Sequence, residues 1–513
     1  MTRLRFVDTS LRDGNQSLWG AVGLTTGMAE AVGPALDRIG LDAIDFTSST
    51  NLLMGAKTHR EDPWERISRM RAVTPNTPLS AITTGMRFMS WDRASETVMR
   101  LSLRLMARHG LRRLQIAEPM NDVESVLTVA RWAKEEGFEQ VVAATTFTES
   151  PVHTDESYLA AARRFTASAD IDRVYLKDPG GILTVERTGH LVPALREAIG
   201  AKPFELHGHC TTGEAPQLYV VAARLGVDAL HTGIGPLSNG TAQPGLEQLL
   251  DNLEAAGIPY EADREAITEA AGIIGRIAAS QGLKPGRTMP YDLASHVHQV
   301  PGGMMGTLKR QLGELGLADQ LPAVIEETGR VRADLGYPIM VTPFSQFVGS
   351  QALMNVLAER SGQERYSRIP DEVLRFVLGQ YGKPLGAISD EVLEKAAALP
   401  RTKELQGKLD PRSLDELHAD YAKRLGRTLD DEELLLRIVM APDVLDAVRA
   451  GGPAPAWSGA AARGNGGRPA SEGPVSSITE FLDAAHALPR WTHLSVRRGS
   501  EHVRLSRSPG AAT

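Results

Sequence analysis

Short apolar runs alternate with longer amphipathic stretches along the first 290 residues of the chain. A strand buried on both faces gives a short apolar run, and the helix that covers it repeats its apolar residues every three or four positions. The pattern therefore predicts eight strands that alternate with helices. We expect strands at residues 4–8, 43–47, 79–83, 114–117, 141–145, 173–176, 203–206 and 229–232, and helices at 28–39, 92–109, 122–136, 155–168, 184–198 and 215–225.

This alternation is typical of an α/β fold, a (β/α)8 TIM barrel over residues 1–290. A doubly wound open sheet would alternate in the same way, but no Gly-x-Gly-x-x-Gly sequence follows the first strand. In barrels of this kind the active site lies at the carboxyl ends of the strands. The residues that follow each strand are therefore the candidates for function.

The pattern changes near residue 291 and predicts a mostly helical second domain over residues 291–450. Its helices are expected at 307–315, 321–335, 346–359, 371–378, 390–399, 413–425 and 430–441, with a loop at 301–305. Residues 451–476 are rich in Gly, Pro and Ala and predict a flexible linker. Residues 477–513 predict a small tail with a helix at 478–487 and strands at 492–496 and 502–505.

Composition narrows the classes of protein that this chain can belong to. The net charge of -7 gives no basic field, so we expect no nucleic-acid partner. No apolar run is long enough to span a bilayer, so no membrane partner is expected. The single cysteine, Cys210, cannot form an internal disulfide, and the first residues lead directly into a strand, which favours a cytoplasmic protein.

The strand ends carry side chains suited to binding a metal ion. His207 and His209 are two residues apart, so on a strand both imidazoles face the same side and can share a cation. Two hydrogen-bonded histidines at a strand end would give the same pattern without a metal. Asp13 favours the interpretation as a metal site, because a closed barrel would bring its carboxylate close to the two histidines. Lys177 is a poor ligand as an ammonium unless it is converted to an anion.

Seven motifs, in order along the chain, resemble the carboxyltransferase component of biotin-dependent enzymes. That family includes pyruvate carboxylase, the oxaloacetate decarboxylase α subunit and the keto-acid subunit of transcarboxylase. The resemblance runs from about residue 5 to about residue 445. The motifs are DTSLRDGNQSL at 8–18, EDPWER at 61–66, SPVHT at 150–154, LKD at 176–178, HGH at 207–209, PGGM at 301–304 and VTP at 341–343.

The resemblance implies one divalent metal ion, Zn, Mn or Co, bound by Asp13, Lys177, His207 and His209. Lys177 would be carboxylated on its amine, which makes it an anionic carbamate and allows it to act as a ligand. The ion would act as a Lewis acid beside an enolate, or hold the geometry of the site.

The resemblance also implies which residues hold the substrate and the biotin ring. Arg12 and Gln16 would bind oxygen atoms of the substrate. Thr342 would carry a proton between the substrate and N1 of biotin, since a hydroxyl can donate and accept in one step. Ser345 and Gln346 would lie near the biotin ring.

The pocket for the carboxyl acceptor departs from the family pattern. DFTSSTNLL at 45–53 replaces a Trp-Gly-Gly-Ala-Thr motif, and Thr84 and Trp91 replace an Arg and a Tyr. An arginine grips a carboxylate through two hydrogen bonds, and threonine removes that charge. We therefore expect a small carbonyl or keto-acid-like acceptor other than plain pyruvate. Arg87 could compensate, or it could be an exposed helix residue.

Biotin is expected on a separate carrier protein. No lysine in the chain lies between two methionines, as the usual biotinylation tetrapeptide requires, and the barrel pattern begins near residue 4 without an ATP-grasp domain. Residues 478–507 resemble the N-terminal segment of bacterial biotin carboxyl carrier proteins and could recruit or mimic a carrier. The expected partners are biotin carboxyl carrier protein and biotin carboxylase subunits, with the chain itself a dimer or higher homo-oligomer.

Three functions follow from these observations. The first is the carboxyltransferase subunit of a multi-subunit biotin-dependent carboxylase or transcarboxylase. The second is a biotin-independent metal-dependent lyase or aldolase related to HMG-CoA lyase, in which Asn239 is an oxygen ligand or a turn residue. The third is a scaffold without catalysis. Thr342 and the second domain favour the first over the second, and the metal set favours either enzyme over the scaffold.

Overall fold

A computed structural model of the protein describes residues 3–89, 93–293, 295–296, 299, 302–314, 316–407, 409–459, 493–498 and 501–506. The chain divides into two units, residues 1–459 and 460–513. Trp91, the predicted helix at 478–487 and the predicted linker beyond residue 459 lie outside the described residues.

Eight parallel strands close into a barrel in the order of the chain. The closure is made by the first and last strands, where Arg5 lies opposite Ala229 and Asp8 opposite Thr232. Each predicted strand overlaps an observed one, and the predicted (β/α)8 barrel is confirmed. The strands are β1 Arg5–Asp8, β2 Ala43–Ser48, β3 Leu79–Thr83, β4 Leu111–Ile116, β5 Gln140–Thr146, β6 Arg173–Asp178, β7 Phe204–Gly208 and β8 Ala229–Thr232.

Helices cover the outside of the barrel, and several of them begin at a residue whose side chain caps the first turn. Asp62, Asp122 and Thr154 each accept hydrogen bonds from backbone N–H groups of the first turn that have no partner inside the helix. The helices of the barrel region are α1 Asn15–Trp19, α2 Thr26–Arg38, α3 Ser49–Met54, α4 Pro63–Val73, α5 Glu96–Arg108, α6 Val123–Glu135, α7 Asp155–Ala167, α8 Val185–Ile199, α9 Ala215–Arg224, α10 Leu246–Ala255 and α11 Arg264–Gln281.

The region after the barrel is helical, as predicted. The loop predicted at 301–305 is wrong, because a helix begins at Gly302. Glycine disfavours helices mainly in their interior, and the first turn makes few intrahelical hydrogen bonds to lose. The helices are Gly302–Glu314, Leu321–Asp334, Phe344–Arg360, Asp371–Val377, Asp390–Ala398, Pro400–Leu405, Leu414–Leu425, Asp431–Val439 and Pro442–Gly451.

The helical region packs against loops at the carboxyl ends of the barrel strands. Met120, after β4, belongs to the apolar core formed by the helices from Gly302–Glu314 to Asp390–Ala398. Arg332, in helix Leu321–Asp334, donates to the Thr148 hydroxyl at 2.8 Å and to the Glu149 carbonyl at 3.1 Å, just after β5. The helical region therefore covers the side of the barrel at which parallel strands of this fold present their active site.

His153 lies beside this junction and makes its stability depend on pH. Burial, together with the Arg332 guanidinium, lowers the pKa of His153 to about 4, below the value of about 6.5 in an unfolded chain. Protonation therefore favours unfolding, so this contribution is complete above pH 6.5 and is lost as the pH falls towards 4. Between pH 7 and pH 5 the free energy of unfolding should fall by about 2 kcal/mol because of this residue.

The measurement is urea unfolding of the wild type and of His153→Gln at both pH values. The decrease in the free energy of unfolding between pH 7 and pH 5 should be smaller in His153→Gln, whose side chain does not titrate. The control is His190→Gln, at an exposed histidine of α8, which should show the same decrease as the wild type. Equal losses in the wild type and in His153→Gln would contradict the assignment.

The start of the predicted linker is packed, which differs from the expectation for residues 451–459. The Ala454 N–H donates to Glu65 at 3.1 Å, Ala456 forms a β-bridge with Gly27, and Trp457 packs against the barrel core. Small side chains can pack closely against a folded surface. A composition rich in Gly, Pro and Ala therefore did not exclude packing of these residues.

The second unit contains an antiparallel hairpin, as the alternating pattern predicts. Its strands are β9 His493–Arg498 and β10 Glu501–Ser506, with Val503 opposite Val496. In the described parts of the chain, no helix combines the length and apolar character needed to cross a bilayer.

Candidate metal centre at the barrel mouth

Four of the predicted site residues converge at the carboxyl ends of three strands. Asp13 lies in a π-helical turn after β1, Lys177 lies in β6, His207 in β7, and His209 directly after β7. All four are buried. Asp13 Oδ2 lies 3.2 Å from His207 Nε2 and 3.4 Å from His209 Nε2, and Lys177 Nζ lies 3.0 Å from His207 Nε2. The predicted convergence of these residues is therefore present in the structure.

Hydrogen bonds behind the two imidazoles fix their tautomers. His209 Nδ1 lies 2.6 Å from the Thr241 carbonyl, which only accepts, so Nδ1 carries the proton. His231 Nε2 lies 2.9 Å from a carboxylate oxygen of Glu205, so it donates there, and its Nδ1 accepts from His207 Nδ1 at 3.1 Å. In the neutral form of each ring, the Nε2 atom that faces Asp13 therefore presents a lone pair, the form that binds a metal.

The charges around Asp13 keep it ionised. Burial by itself would raise the pKa of Asp13, but the Arg12 guanidinium, at 3.1 Å, opposes it, and the pKa lies well below its usual range. Burial is the main cause that lowers the pKa of His207 well below its usual value, and Lys177 adds to it. An anionic oxygen thus faces two imidazole nitrogens, which is a donor set suited to a divalent cation.

The Lys177 amine loses its proton more readily than the amine of an exposed lysine. Burial lowers the pKa of Lys177 to about 8, and the Asp13 carboxylate opposes part of that shift. An amine with such a pKa is partly unprotonated near neutral pH and so can react as a nucleophile.

Arg12 is held in place by two carboxylates. It donates from Nε to Asp45 at 2.8 Å and lies against Asp13. Gln16 is half-buried in the short helix that follows. Both therefore lie in the segment that carries Asp13.

Arg87 is buried in the structure, which excludes one of the two alternatives for it, the exposed helix residue. It donates to the Thr84 carbonyl at 3.0 Å, and its guanidinium carbon lies 5.2 Å from the ring centroid of Tyr381 in the helical region. Nearby Glu118 is also buried, and burial raises its pKa to about 7. A buried guanidinium thus lies close to the position at which the family arginine is replaced.

The segment that carries Thr342 reaches the barrel mouth. Ile339 and Met340, just before it, line a cavity together with residues that follow β5, β6 and β7. Thr342 is half-buried, Ser345 is buried and Gln346 is exposed at the start of helix Phe344–Arg360. Among the described residues, no hydrogen bond or ion pair joins Thr342 to Asp13, Lys177, His207 or His209. The mouth-side residues of the cavity include Phe147, Thr148, Gly180, Ile182 and Thr211.

Asn239 is a turn residue, and a different amide lies at the site. Asn239 has a positive φ of 63°, typical of a tight turn, and its side chain contacts Gly245 and Ser238. Gln243, four residues later, contacts Asp13, His207 and His209 through its side chain. Sequence reasoning missed Gln243 because one glutamine in a loop has no distinguishing local pattern.

Comparison with known proteins places the whole described barrel in one family. Residues 3–274 match the family described as HMGL-like, and residues 296–451 match a conserved carboxylase domain. The chain is 33% identical over 393 residues to a pyruvate carboxylase subunit of Methanocaldococcus jannaschii, covering 76% of this chain and 68% of that one. It is 30% identical over 439 residues to the 2-oxoglutarate carboxylase large subunit of Hydrogenobacter thermophilus, covering 85% and 66%.

Solved structures show the same fold. The carboxyl transferase domain from Rhizobium etli pyruvate carboxylase, with oxamate and biotin, matches with a TM-score of 0.77 and 25% identity, covering 88% of this chain and 78% of that one.

Proposed function

The chain belongs to the HMGL-like family and, within it, to the carboxyltransferases of biotin-dependent enzymes, and on that premise we propose that it is the carboxyltransferase subunit of a multi-subunit carboxylase or transcarboxylase. It moves a carboxyl group between carboxybiotin on a separate carrier protein and a small keto-acid-like acceptor. One observation carries this proposal. A buried set of metal donors at the barrel mouth occurs in the same chain as a match to the conserved carboxylase domain.

Asp13, His207, His209 and Lys177 would hold a divalent metal ion. The ionised carboxylate and the two imidazole lone pairs support this role. Bound there, the ion would supply Lewis acidity beside a negative oxygen of the acceptor. The lowered pKa of Lys177 supports carboxylation of its amine, because only the neutral amine attacks CO2, losing a proton as the anionic carbamate forms.

Arg12 and Gln16 would orient the oxygen atoms of the acceptor, and Thr342 would transfer the proton between the acceptor and biotin. The two carboxylates that fix Arg12 prevent it from moving away from the metal donors. Ser345 and Gln346 follow Thr342 by three and four residues, and the family resemblance supports a role for them beside the biotin ring.

The acceptor is proposed to differ from plain pyruvate. Thr84 cannot form the charge-assisted pair by which an arginine selects a carboxylate. One relative is named as a 2-oxoglutarate carboxylase, which makes a keto acid with a second carboxylate the first candidate to test. The buried Arg87 offers a positive charge in the same loop.

A biotin-independent lyase is the second candidate, since the HMGL-like match covers the metal donors as well. The conserved carboxylase domain at residues 296–451 favours carboxyl transfer over this alternative.

The test is purification of the full-length chain from its own cells, followed by a transfer assay. A biotinylated protein should co-purify, and the complex supplied with ATP and labelled bicarbonate should label 2-oxoglutarate more than pyruvate. Cleavage activity without any biotinylated partner would support the lyase instead. Loss of the partner in a chain that ends at Gly459 would assign its binding to residues 460–513.

A further inference from the structure

We propose that Arg332 is a positioning residue for proton transfer, which holds the segment of Thr342 in a fixed place at the barrel mouth. This inference rests on the proposed role of Thr342 and adds a residue that acts through it. Arg332 lies in helix Leu321–Asp334 of the helical region and is 7% exposed. Its guanidinium bonds both to a barrel loop and to the segment that leads to Thr342.

Thr342 lies in a segment without regular structure. Residues 335–343 join helix Leu321–Asp334 to helix Phe344–Arg360 and contain neither helix nor strand. The end at Phe344 is fixed, because that side chain is fully buried in the apolar core of the helical region. Irregular backbone has no ladder of hydrogen bonds of its own, so contacts from outside the segment decide where its other end lies.

Arg332 supplies such a contact near the beginning of the segment. Its side-chain Nε donates to the Pro338 carbonyl at 3.2 Å. A short turn follows, in which the Val341 N–H donates to the Ile339 carbonyl at 2.7 Å. Pro338 is four residues from Thr342, so a displacement of the Arg332 side chain would be passed along this turn.

The rest of the guanidinium bonds to the loop after β5 and to Gln299. Nη2 donates to the Thr148 hydroxyl at 2.8 Å and to the Glu149 carbonyl at 3.1 Å, and Nη1 donates to Gln299 Oε1 at 3.0 Å. A planar guanidinium makes these hydrogen bonds together in one fixed orientation, which the single ammonium group of a lysine cannot reproduce. One side chain thus joins the barrel to the segment of Thr342.

The loop that receives Arg332 is itself fixed to the part of the barrel that carries the metal donors. The Tyr158 hydroxyl donates to the Thr148 carbonyl at 2.6 Å and accepts from the Thr148 N–H at 3.0 Å. Directly before Thr148, the Phe147 N–H donates to the carbonyl of Lys177 at 2.7 Å. A continuous path of bonds therefore runs from the metal donors to the segment that precedes the proton-transfer residue.

All of the hydrogen bonds of the Arg332 side chain are made to neutral oxygen atoms. Among the described residues no carboxylate forms an ion pair with it, and burial lowers its pKa to about 10, so it remains charged at neutral pH. A buried charge without a counter-ion costs stability, and an apolar side chain would join two packed regions at lower cost. The directed hydrogen bonds, rather than stability, therefore account for an arginine at this position.

The experiment measures, in a single turnover of the full-length chain, transfer of a labelled carboxyl group from a biotinylated carrier protein. The acceptor is 2-oxoglutarate or pyruvate, whichever the wild type labels faster. Arg332→Gln should lower the rate about a hundredfold, the loss expected when a reacting group is displaced by about 1 Å, while metal content stays the same. Arg330→Gln, at an exposed arginine of the same helix, is the matched control and should keep the wild-type rate.

A double-mutant comparison separates positioning from a merely structural role. In a chain that already carries Thr342→Ala, adding Arg332→Gln should change the rate by no more than about twofold, because the group that Arg332 positions is gone. Losses that multiply in the double mutant would overturn the inference, and so would loss of metal or a wild-type rate in Arg332→Gln. A wild-type rate in Arg332→Lys would also overturn it, because charge alone would then suffice.

Melting temperatures show whether each variant is folded. If Arg332→Gln does not fold, Thr148→Val removes one acceptor of the guanidinium and keeps the branched shape of the side chain. Its rate should fall in the wild-type background and stay the same in the Thr342→Ala background, and any other result would overturn the inference. Full activity of Thr342→Ala by itself would instead overturn the proposed proton transfer on which the inference rests.

Discussion

Replacing His207 with alanine is expected to abolish metal binding and to lower carboxyl transfer on the order of a thousandfold or more. His207 is fully buried, and its Nε2 lies 3.2 Å from Asp13 Oδ2 and 3.3 Å from His209 Nε2. Without it, two of the closely spaced donors remain, and two donors do not hold a divalent ion in a defined geometry. Metal content by mass spectrometry and the rate of labelled carboxyl transfer are the two measurements.

The variant also removes the hydrogen-bond partner of His231, which costs about 1–3 kcal/mol in stability. His209→Ala leaves the pair of His207 and His231 intact, so it tests the metal without that defect and should lose metal as well. His190→Ala, at an exposed histidine of α8, is the control. Full metal content and full activity in both His207→Ala and His209→Ala would rule out the proposed centre.

Replacing Thr342 with alanine is expected to lower carboxyl transfer by about 10²–10⁴-fold, the usual contribution of a positioned proton-transfer group. Metal content should not change, because Thr342 makes no hydrogen bond or ion pair with Asp13, Lys177, His207 or His209 among the described residues. Thr342→Ser keeps the hydroxyl and should recover most of the rate. The measurements are the transfer rate from carboxybiotin and the metal content of each variant.

Thr268→Ala removes an exposed threonine hydroxyl on α11 and is the matched control for Thr342→Ala. A fully active Thr342→Ala variant would favour the biotin-independent lyase, which needs no proton transfer to biotin. Loss of both metal and activity would show instead that the residue acts through the structure of the site.

The barrel was predictable because its signal is local. A strand covered by helices must be apolar, and the order of β1 to β8 around the barrel follows from eight such runs along the chain. Asp13, Lys177, His207 and His209 were accessible for the same reason, since parallel strands of a closed barrel bring their carboxyl ends together. The helix that begins at Gly302 was missed because glycine signals a loop, although it costs little in the first turn of a helix.

Other features had no local signal. The sequence could not decide between a compensating charge and an exposed helix residue for Arg87, which the structure buries near Tyr381 of the helical region. The composition of residues 451–459 predicts a linker, yet Ala454 and Trp457 pack on the barrel. In each case the partner lies far away in the chain, so periodicity and composition carry no information about it.

By itself the sequence determined the closed barrel, the strand ends that carry the donors and the family resemblance, since these depend on residue type and spacing along one segment. The tertiary structure alone decided that Gln243 joins Asp13, His207 and His209, and that His231 and Glu205 set the tautomer of His207. Hydrogen bonds and coordination distances depend on atoms brought together from distant segments to within a few ångströms, and no pattern along the chain encodes that separation.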